Sequence, residues 1–395
     1  MSEERANTVS GARANTVSGE RANTVSGARA SSVSDELFMR AALALARRGL
    51  GQTAPNPSVG CVIVKAGRVL GRGTTSPGGR PHAEINALAM AGEAARGATA
   101  YVTLEPCCFT GKSGPCTEAL IQSGIQRVVI GAHDPHPKVN GAGIKRLREA
   151  GIDVTDGVLT PEAETVIEGF ALTLRASRPL VRLKLASSLD GRIATASGQS
   201  QWITGPESRR ATHALRGRHD AVLVGVGTVL ADDPELTCRI EGYRAAPLTR
   251  VVVDSHLRTP LLSKLVRAAH TDPLIILHRN GADPARIKAL REAGVTLVEL
   301  PASSAGVDLK AGLKVLAQLG LTRVLAEGGG TLAAGLLRED LVDRLSWFHA
   351  PLLIGGDGWP SAQGFGLESL EFAPKFRAVS RQLWGEDIVT HFRKF

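Results

Sequence analysis

Apolar positions along this chain fall into two rhythms, helical spacing and short unbroken runs, which alternate from about residue 35 onward. Leu37, Phe38, Ala41, Ala42 and Leu45 recur at helical spacing just after Ser34-Asp35, a pair suited to capping, so the first folded element is expected to be a helix starting there. A loop, Ala54-Pro-Asn-Pro-Ser-Val-Gly60, leads into the apolar run Cys61-Val-Ile-Val64, which predicts a strand. Further strands are predicted at Ala100-Tyr-Val-Thr-Leu104 and Arg127-Val-Val-Ile130, and helices at Ala83–Met90 and Ile144–Glu149. The pattern breaks at Arg175-Ala-Ser-Arg-Pro179 and restarts with the run Leu180–Leu185. Strand–helix alternation of this kind argues an α/β layer fold, and the break argues two units, 35–178 and 179–395.

The first 34 residues follow neither rhythm. Arg5-Ala-Asn-Thr-Val-Ser-Gly recurs at Arg13 and Arg21, with a decayed copy at Arg29, and the segment contains no leucine or bulky aromatic. It has too little surface to bury against the entropy of ordering, so 1–34 is expected to be a disordered octapeptide-repeat tail. It lacks a secretory apolar stretch and carries Glu3, Glu4 and Glu20, unlike acidic-poor transit peptides.

With 395 residues the chain can hold two full-sized cores. No run approaches the ~20 apolar residues of a membrane span, and five cysteines, three of them crowded at 107, 108 and 116, suit a reducing cytoplasm better than a disulfide framework. A net charge of +9 without a Lys/Arg block, together with only two tyrosines, favours phosphorylated small molecules over nucleic acid and membrane partners.

The candidate chemistry begins at His82-Ala-Glu84, Pro106-Cys107 and Pro115-Cys116. Zinc that activates a water needs three protein ligands and one open position, and His82 with the thiolates of Cys107 and Cys116 supplies the three. Glu84, two residues past the His, is then free to move protons. An isolated H-x-E is usually chance, and a Cys is usually a small buried hydrophobe. Here Cys107 follows a strand end, while His82 and Cys116 open helices whose positive ends suit thiolates. The usual signature separates its cysteines by two residues; here eight intervene, 108 to 115.

In the second unit three loops follow predicted strands: Ala186–Arg192, the Gly-x-Gly-Thr turn ending Ala221–Thr228, and Gly328-Gly-Gly330 between strand Val324–Glu327 and helix Thr331–Leu337. Glycines there allow backbone amides to approach a phosphate, although Gly-rich turns also serve purely conformational ends.

In order along the chain, Pro55-Asn-Pro-x-Val-Gly60, Pro81-His-Ala-Glu84, Leu104-Glu-Pro-Cys107 with Pro115-Cys116, Lys184-Leu-x-x-Ser-Leu-Asp-Gly-Arg192, Ser200-Gln-Trp-Ile-Thr204, Thr228–Pro234 and Glu327-Gly-Gly resemble the bifunctional deaminase/reductase family of riboflavin biosynthesis. The resemblance implies a cytidine-deaminase-like three-layer α/β domain followed by a dihydrofolate-reductase-like α/β domain. It implies one Zn2+ per chain for deaminating a diamino-ribosylamino-pyrimidinone 5′-phosphate, and NADPH for reducing the ribosyl group to ribityl. By matching positions, Ala186, Trp202, Thr228, Ser255, Gly328, Gly329, Gly330 and Thr331 would line the cofactor. Asn56, Lys112, Ser200, Arg216, Asp232, Leu236, Arg239 and Glu327 would bind substrate. Asn56 as a turn former, Arg216 and Arg239 as solvated surface arginines, and Trp202 as core are the alternative readings. A cytoplasmic homo-oligomer is expected. The chain departs from the family at Gly71-Arg-Gly-Thr-Thr75, where a His is common after the second Gly, and at Cys108-Phe109, where Ser-His is common.

Two other classes compete. A nucleic-acid or free-nucleoside deaminase would share the zinc site, but the long cysteine spacing and the second unit argue against it. A scaffolding module with a structural zinc would leave Glu84 without use.

Overall fold

Short buried strands and amphipathic helices assemble into two principal sheets. The computed structural model describes residues 20–111, 114–303 and 306–395, with side chains from residue 33 onward. The first sheet has five strands in the order Arg68–Thr74, Gly60–Lys65, Thr99–Leu104, Arg127–Ala132, Asp153–Thr155. The first three pair antiparallel and the last three parallel. Thr99–Leu104 and Arg127–Ala132 are almost wholly buried, as strands covered on both faces must be. Helices Glu20–Gly49 and Thr160–Ala176 pack on one side; Ala83–Ala91, Cys116–Gln122 and Ala142–Glu149 form the other layer. This is the three-layer architecture the resemblance implies.

The first helix corrects two expectations. It spans Glu20–Gly49, so residues 20–34, assigned by composition to an unstructured tail, are helical, while 1–19 lie outside the described residues. Extending an existing helix costs far less than nucleating one, so a turn secured by packing at 35–49 can propagate backwards. Asp35, read as a cap, is instead buried: it accepts hydrogen bonds from Tyr101 Oη at 3.0 Å and from Arg127 Nη1 and Nη2 at 2.9 and 2.8 Å.

The glycines of Gly71-Arg-Gly73 have a structural use. A Cβ on Gly73 would collide with the carbonyl of Ala83, and one on Gly71 with that of Ala87. Their absence lets the helix led by His82 lie directly on the strand.

The second sheet has nine strands in the order Thr296–Leu300, Leu274–Arg279, Thr249–Val253, Ala221–Gly225, Arg323–Glu327, Leu180–Ser187, Arg344–His349, Asp387–Lys394, Phe376–Trp384. The chain runs outward from Leu180–Ser187, returns to insert Arg323–Glu327 at the centre, and ends in an antiparallel hairpin. The parallel strands around this reversal end side by side, where α/β sheets characteristically bind ligands. The expected Gly-x-Gly-Thr turn is not a loop: Gly225 ends a strand and Thr228 already belongs to helix Val226–Asp232. Among the described residues no helix is long and apolar enough to cross a membrane.

Candidate active sites

At the first sheet, His82 occupies the position just before helix Ala83–Ala91, Cys107 follows strand Thr99–Leu104, and Cys116 is the first residue of helix Cys116–Gln122. Their ligand atoms lie within 4.8 Å of one another. His82 Nδ1 is 3.7 Å from Cys107 Sγ and 3.3 Å from Cys116 Sγ. The amide N–H of Cys116 points at Cys107 Sγ, 3.4 Å away. Hydrogen bonding from the Cys116 thiol, with His82 adding to it, holds the Cys107 thiol at about 4, so a thiolate is ready at neutral pH. The donor set, one imidazole and two thiols converging on a point, fits zinc.

Glu84 is 4% exposed and faces the same cavity. Burial, reinforced by the Cys107 thiolate, pushes its carboxyl up to about 7, the range in which a carboxyl both takes and gives protons near neutrality. The cavity encloses about 190 Å³, and its wall includes Asn56, Thr75, Arg80, Phe109, Asp134 and His136. Asn56 donates from Nδ2 to the Gly79 carbonyl at 2.8 Å and lines this space. Thr75 joins its loop to the neighbouring one through Val59 N–H at 3.0 Å and the Pro57 carbonyl at 3.2 Å. Phe109 stacks on His136 with 5.7 Å between ring centroids, and Cys108 Sγ turns to the Lys138 carbonyl at 3.7 Å, outside the converging trio. Lys112, expected at this pocket, lies outside the described residues.

Sequence reasoning gave no role to Glu105, Asp134 or His136. Glu105 is buried between the ligand strand and the loop opposite, accepting amide N–H bonds from Gly141, Gly143 and Ile144 at 2.9, 2.9 and 3.1 Å, and from Asp134 at 3.3 Å. Asp134, held at about 6 by burial, and His136 line the cavity, and the Asp134 amide is among those Glu105 binds. Glu105→Ala, which strands these amides, is expected to cost about 3 kcal/mol of stability and to raise KM for deamination. An unchanged Tm together with an unchanged KM would exclude this role.

In the second half the central strands bring Arg216, Glu327 and Lys184 together. Glu327 ends strand Arg323–Glu327 and receives both arms of Arg216, Nε at 2.7 Å and Nη2 at 2.9 Å. Arg216 is therefore no solvated surface residue; it also binds the Thr237 carbonyl at 3.0 Å. Burial alone would raise the Glu327 carboxyl, but Arg216 and then Lys184 hold it below its ordinary value. Lys184, quoted in a motif but given no role, sits 5.2 Å over the Phe348 ring, and burial lowers its ammonium. Leu236 is buried in a left-handed conformation, φ 56°, one residue before Thr237.

The remaining positions surround this cluster unevenly. Gly328 has φ 116°, and a Cβ there would meet Thr228 Oγ1 at 2.6 Å, so the two expected cofactor loops touch. Gly329 precedes helix Gly330–Arg338, and Thr331 Oγ1 bonds Gln363 at 3.1 Å. Ala186 lies on strand Leu180–Ser187; Ser255 follows strand Thr249–Val253, two strands from Glu327. Asp232 accepts from Gln201 Nε2 at 3.4 Å, drawing the Ser200–Trp202 loop towards the site. Trp202 is 68% exposed under the Arg209 guanidinium, which excludes the core reading. Arg239 is exposed and paired with Glu235 at 3.1 Å, apart from Arg216.

Comparison with known proteins places both halves. A model described as the cytidine and deoxycytidylate deaminase zinc-binding region matches residues 32–132, and one described as the RibD C-terminal domain matches residues 179–390. The chain is similar to the riboflavin biosynthesis protein RibD of Aquifex aeolicus, 41% identical over 361 residues that cover 91% of this chain and 99% of that one. It is likewise 41% identical to the Escherichia coli protein of that name over 370 residues, 90% and 98% of the two chains. An Acinetobacter baumannii RibD structure superposes with a TM-score of 0.81 at 37% identity, covering 92% of this chain and 100% of that one. A Thermotoga maritima structure described as a diaminohydroxyphosphoribosylaminopyrimidine deaminase/5-amino-6-(5-phosphoribosylamino)uracil reductase gives 0.80 at 34% identity, covering 92% and 99%.

Proposed function

This chain belongs to the RibD family of bifunctional riboflavin-biosynthesis deaminase/reductases, and from that premise we propose that it acts twice on one phosphorylated pyrimidine ribosylamine. The units 35–178 and 179–395 carry the two steps, first removal of the 2-amino group of the diamino-ribosylamino-pyrimidinone 5′-phosphate, then reduction of its ribosyl group to ribityl. The observation that carries this reading is the convergence of His82, Cys107 and Cys116 on a cavity that also holds the buried Glu84.

His82, Cys107 and Cys116 would hold zinc, which when bound would supply an activated water. Glu84 takes one proton of the attacking water and passes it to the ring nitrogen, then takes the proton of the added hydroxyl and passes it to the amino group, which leaves as ammonia while the carbonyl forms; its elevated proton affinity suits both transfers. Phe109, in the Cys108-Phe109 pair where the family commonly has Ser-His, stacks on His136 and offers the pyrimidine an aromatic wall. Asn56, Asp134 and Arg80 provide polar groups around it, and Lys112 remains assigned to substrate by resemblance.

In the second step NADPH supplies hydride. Gly328–Thr331, Thr228, Ser255, Ala186 and Trp202 would hold it; the close approach of Gly328 to Thr228 and the helix start at Gly329 fit a phosphate-bearing cofactor. Glu327, Arg216 and Lys184 orient the ribosyl chain from below, with Ser200, Asp232, Leu236 and Arg239 completing the substrate side. The working assembly is a homo-oligomer, supported by exposed Leu370, Phe372 and Leu383 near and on the terminal hairpin.

Mass spectrometry of the diamino substrate incubated with zinc-loaded protein tests the proposal. Deamination should add about 1 Da without cofactor. NADPH should bring about 2 Da more. Deamination of cytidine with no change in the diamino substrate would overturn it in favour of a free-nucleoside deaminase.

A further inference from the structure

One wall of the deaminase cavity carries an imidazole whose polar edge no step above uses. His136 borders this cavity together with Phe109 and Asp134. It lies half-buried on the loop after strand Arg127–Ala132, and almost every polar atom it owns is engaged locally. Its amide donates to Asp134 Oδ1 at 2.8 Å, its carbonyl accepts from the Val139 amide at 2.9 Å, and its Nδ1 accepts from the Lys138 amide at 3.2 Å. Asp134 is tied in turn to the buried Glu105 through its own amide. The imidazole stacks on Phe109 with the two planes 21° apart.

These contacts fix the tautomer as well as the place of the ring. A backbone N–H can only donate, so Nδ1 presents its lone pair to Lys138 and the ring's own hydrogen is on Nε2. The two ring nitrogens diverge, so Nε2 points away from that amide. Nothing among the described residues accepts from Nε2, and it is not sealed from solvent. A donor of fixed direction therefore stands open on a residue that walls the cavity. Packing against Phe109 alone would be served as well by an apolar ring.

Building on the deaminase function proposed above, we propose that His136 is a substrate-binding residue of the first step, donating its Nε2–H to the carbonyl oxygen of the pyrimidinone ring. The imidazole and Phe109 planes are nearly parallel, so the N–H runs along the plane of a pyrimidine stacked against Phe109. Carbonyl lone pairs lie in that same plane. In the pyrimidinone the carbonyl carbon is one ring nitrogen away from the carbon that loses its amino group, so this contact holds the ring while the reacting carbon meets the metal site. The Lys138 amide blocks Nδ1, which makes His136 a binding group and not a proton carrier. A bond present both before and during the reaction acts on KM and leaves kcat alone.

Two variants of the full-length zinc-loaded protein test this. His136→Phe keeps a ring against Phe109 and removes the donor; His136→Gln gives up the ring but carries an amide N–H to about the reach of Nε2. His136→Phe is expected to raise KM for deamination about tenfold, the loss of one neutral hydrogen bond, with kcat within about twofold of the parent. His136→Gln should stay within about threefold of the parent KM. Zinc content and NADPH-dependent reduction of the deaminated product should match the parent in both. A parent-like KM in His136→Phe overturns the proposal, as does a Gln variant no better than Phe, since a packing role would favour the ring. The same loss should appear on the dephosphorylated ribosylamine; a defect confined to the phosphorylated substrate would assign the donor to the phosphate and overturn the carbonyl contact. If His136→Phe fails to fold, ring-nitrogen NMR of histidine-labelled parent decides, with the 136 signal assigned by its loss in His136→Gln. Nε2 should carry the hydrogen and shift when deaminated product is added; a hydrogen on Nδ1, or an unmoved signal, refutes the contact. A parent that leaves the diamino substrate unchanged overturns the deaminase function and this contact together, whereas a deaminating parent with a parent-like Phe variant removes His136 alone.

Discussion

Glu84→Gln is expected to lower kcat for deamination by about 10²–10⁴-fold while zinc content and NADPH-dependent reduction of the deaminated product stay unchanged. The carboxyl is 4% exposed and stands beside the ligand trio without belonging to it. Glutamine keeps its shape and loses its ability to carry a proton, so the loss should fall on kcat and leave KM nearly unmoved. Metal analysis separates this from a failed site, since His82, Cys107 and Cys116 are untouched. A variant that kept deamination within tenfold of the parent would remove Glu84 from the proton path and restore the structural-zinc reading.

Arg216→Met should destabilise the reductase half by about 3–5 kcal/mol and abolish ribosyl reduction, because Glu327 would remain buried without its bidentate partner. The double change Arg216→Met/Glu327→Leu should recover most of the stability and none of the reduction, which separates the folding effect from the catalytic one. The pair also makes a pH prediction. The Glu327 carboxyl is held below its ordinary value in the folded protein, so its contribution is complete above the unfolded carboxyl value and is lost as pH falls through the lower folded one. Unfolding midpoints followed from pH 7 downwards should therefore drop in the acid range for the parent, and drop less for the double variant. An identical acid profile for both would show that the pair contributes no linkage.

Much of the first site was legible because its residues announce themselves in short local strings. His82 and Glu84 are two apart, Cys107 directly follows a strand end, and Cys116 opens a helix; local element prediction was enough to bring them near one another. The Arg216–Glu327 pair joins residues 111 positions apart, so from the sequence Arg216 looked equally like a surface residue. Glu105 was hidden for a similar reason: its partners are amides of a loop 29 to 39 positions away, and backbone amides carry no sequence label.

The sequence by itself determined the α/β class and the family, and it singled out His82, Cys107 and Cys116, which the fold brings within reach of one metal ion, since periodicity and short motifs are local properties of the chain. Tertiary structure alone decided that the first helix begins at Glu20, that Trp202 stands in solvent, that Arg239 is exposed beside Glu235, and that Lys184 is buried against Phe348. Each of those depends on which distant segment packs alongside. Burial, and with it the cost of leaving Glu327 without Arg216, exists only once segments far apart in sequence have come together.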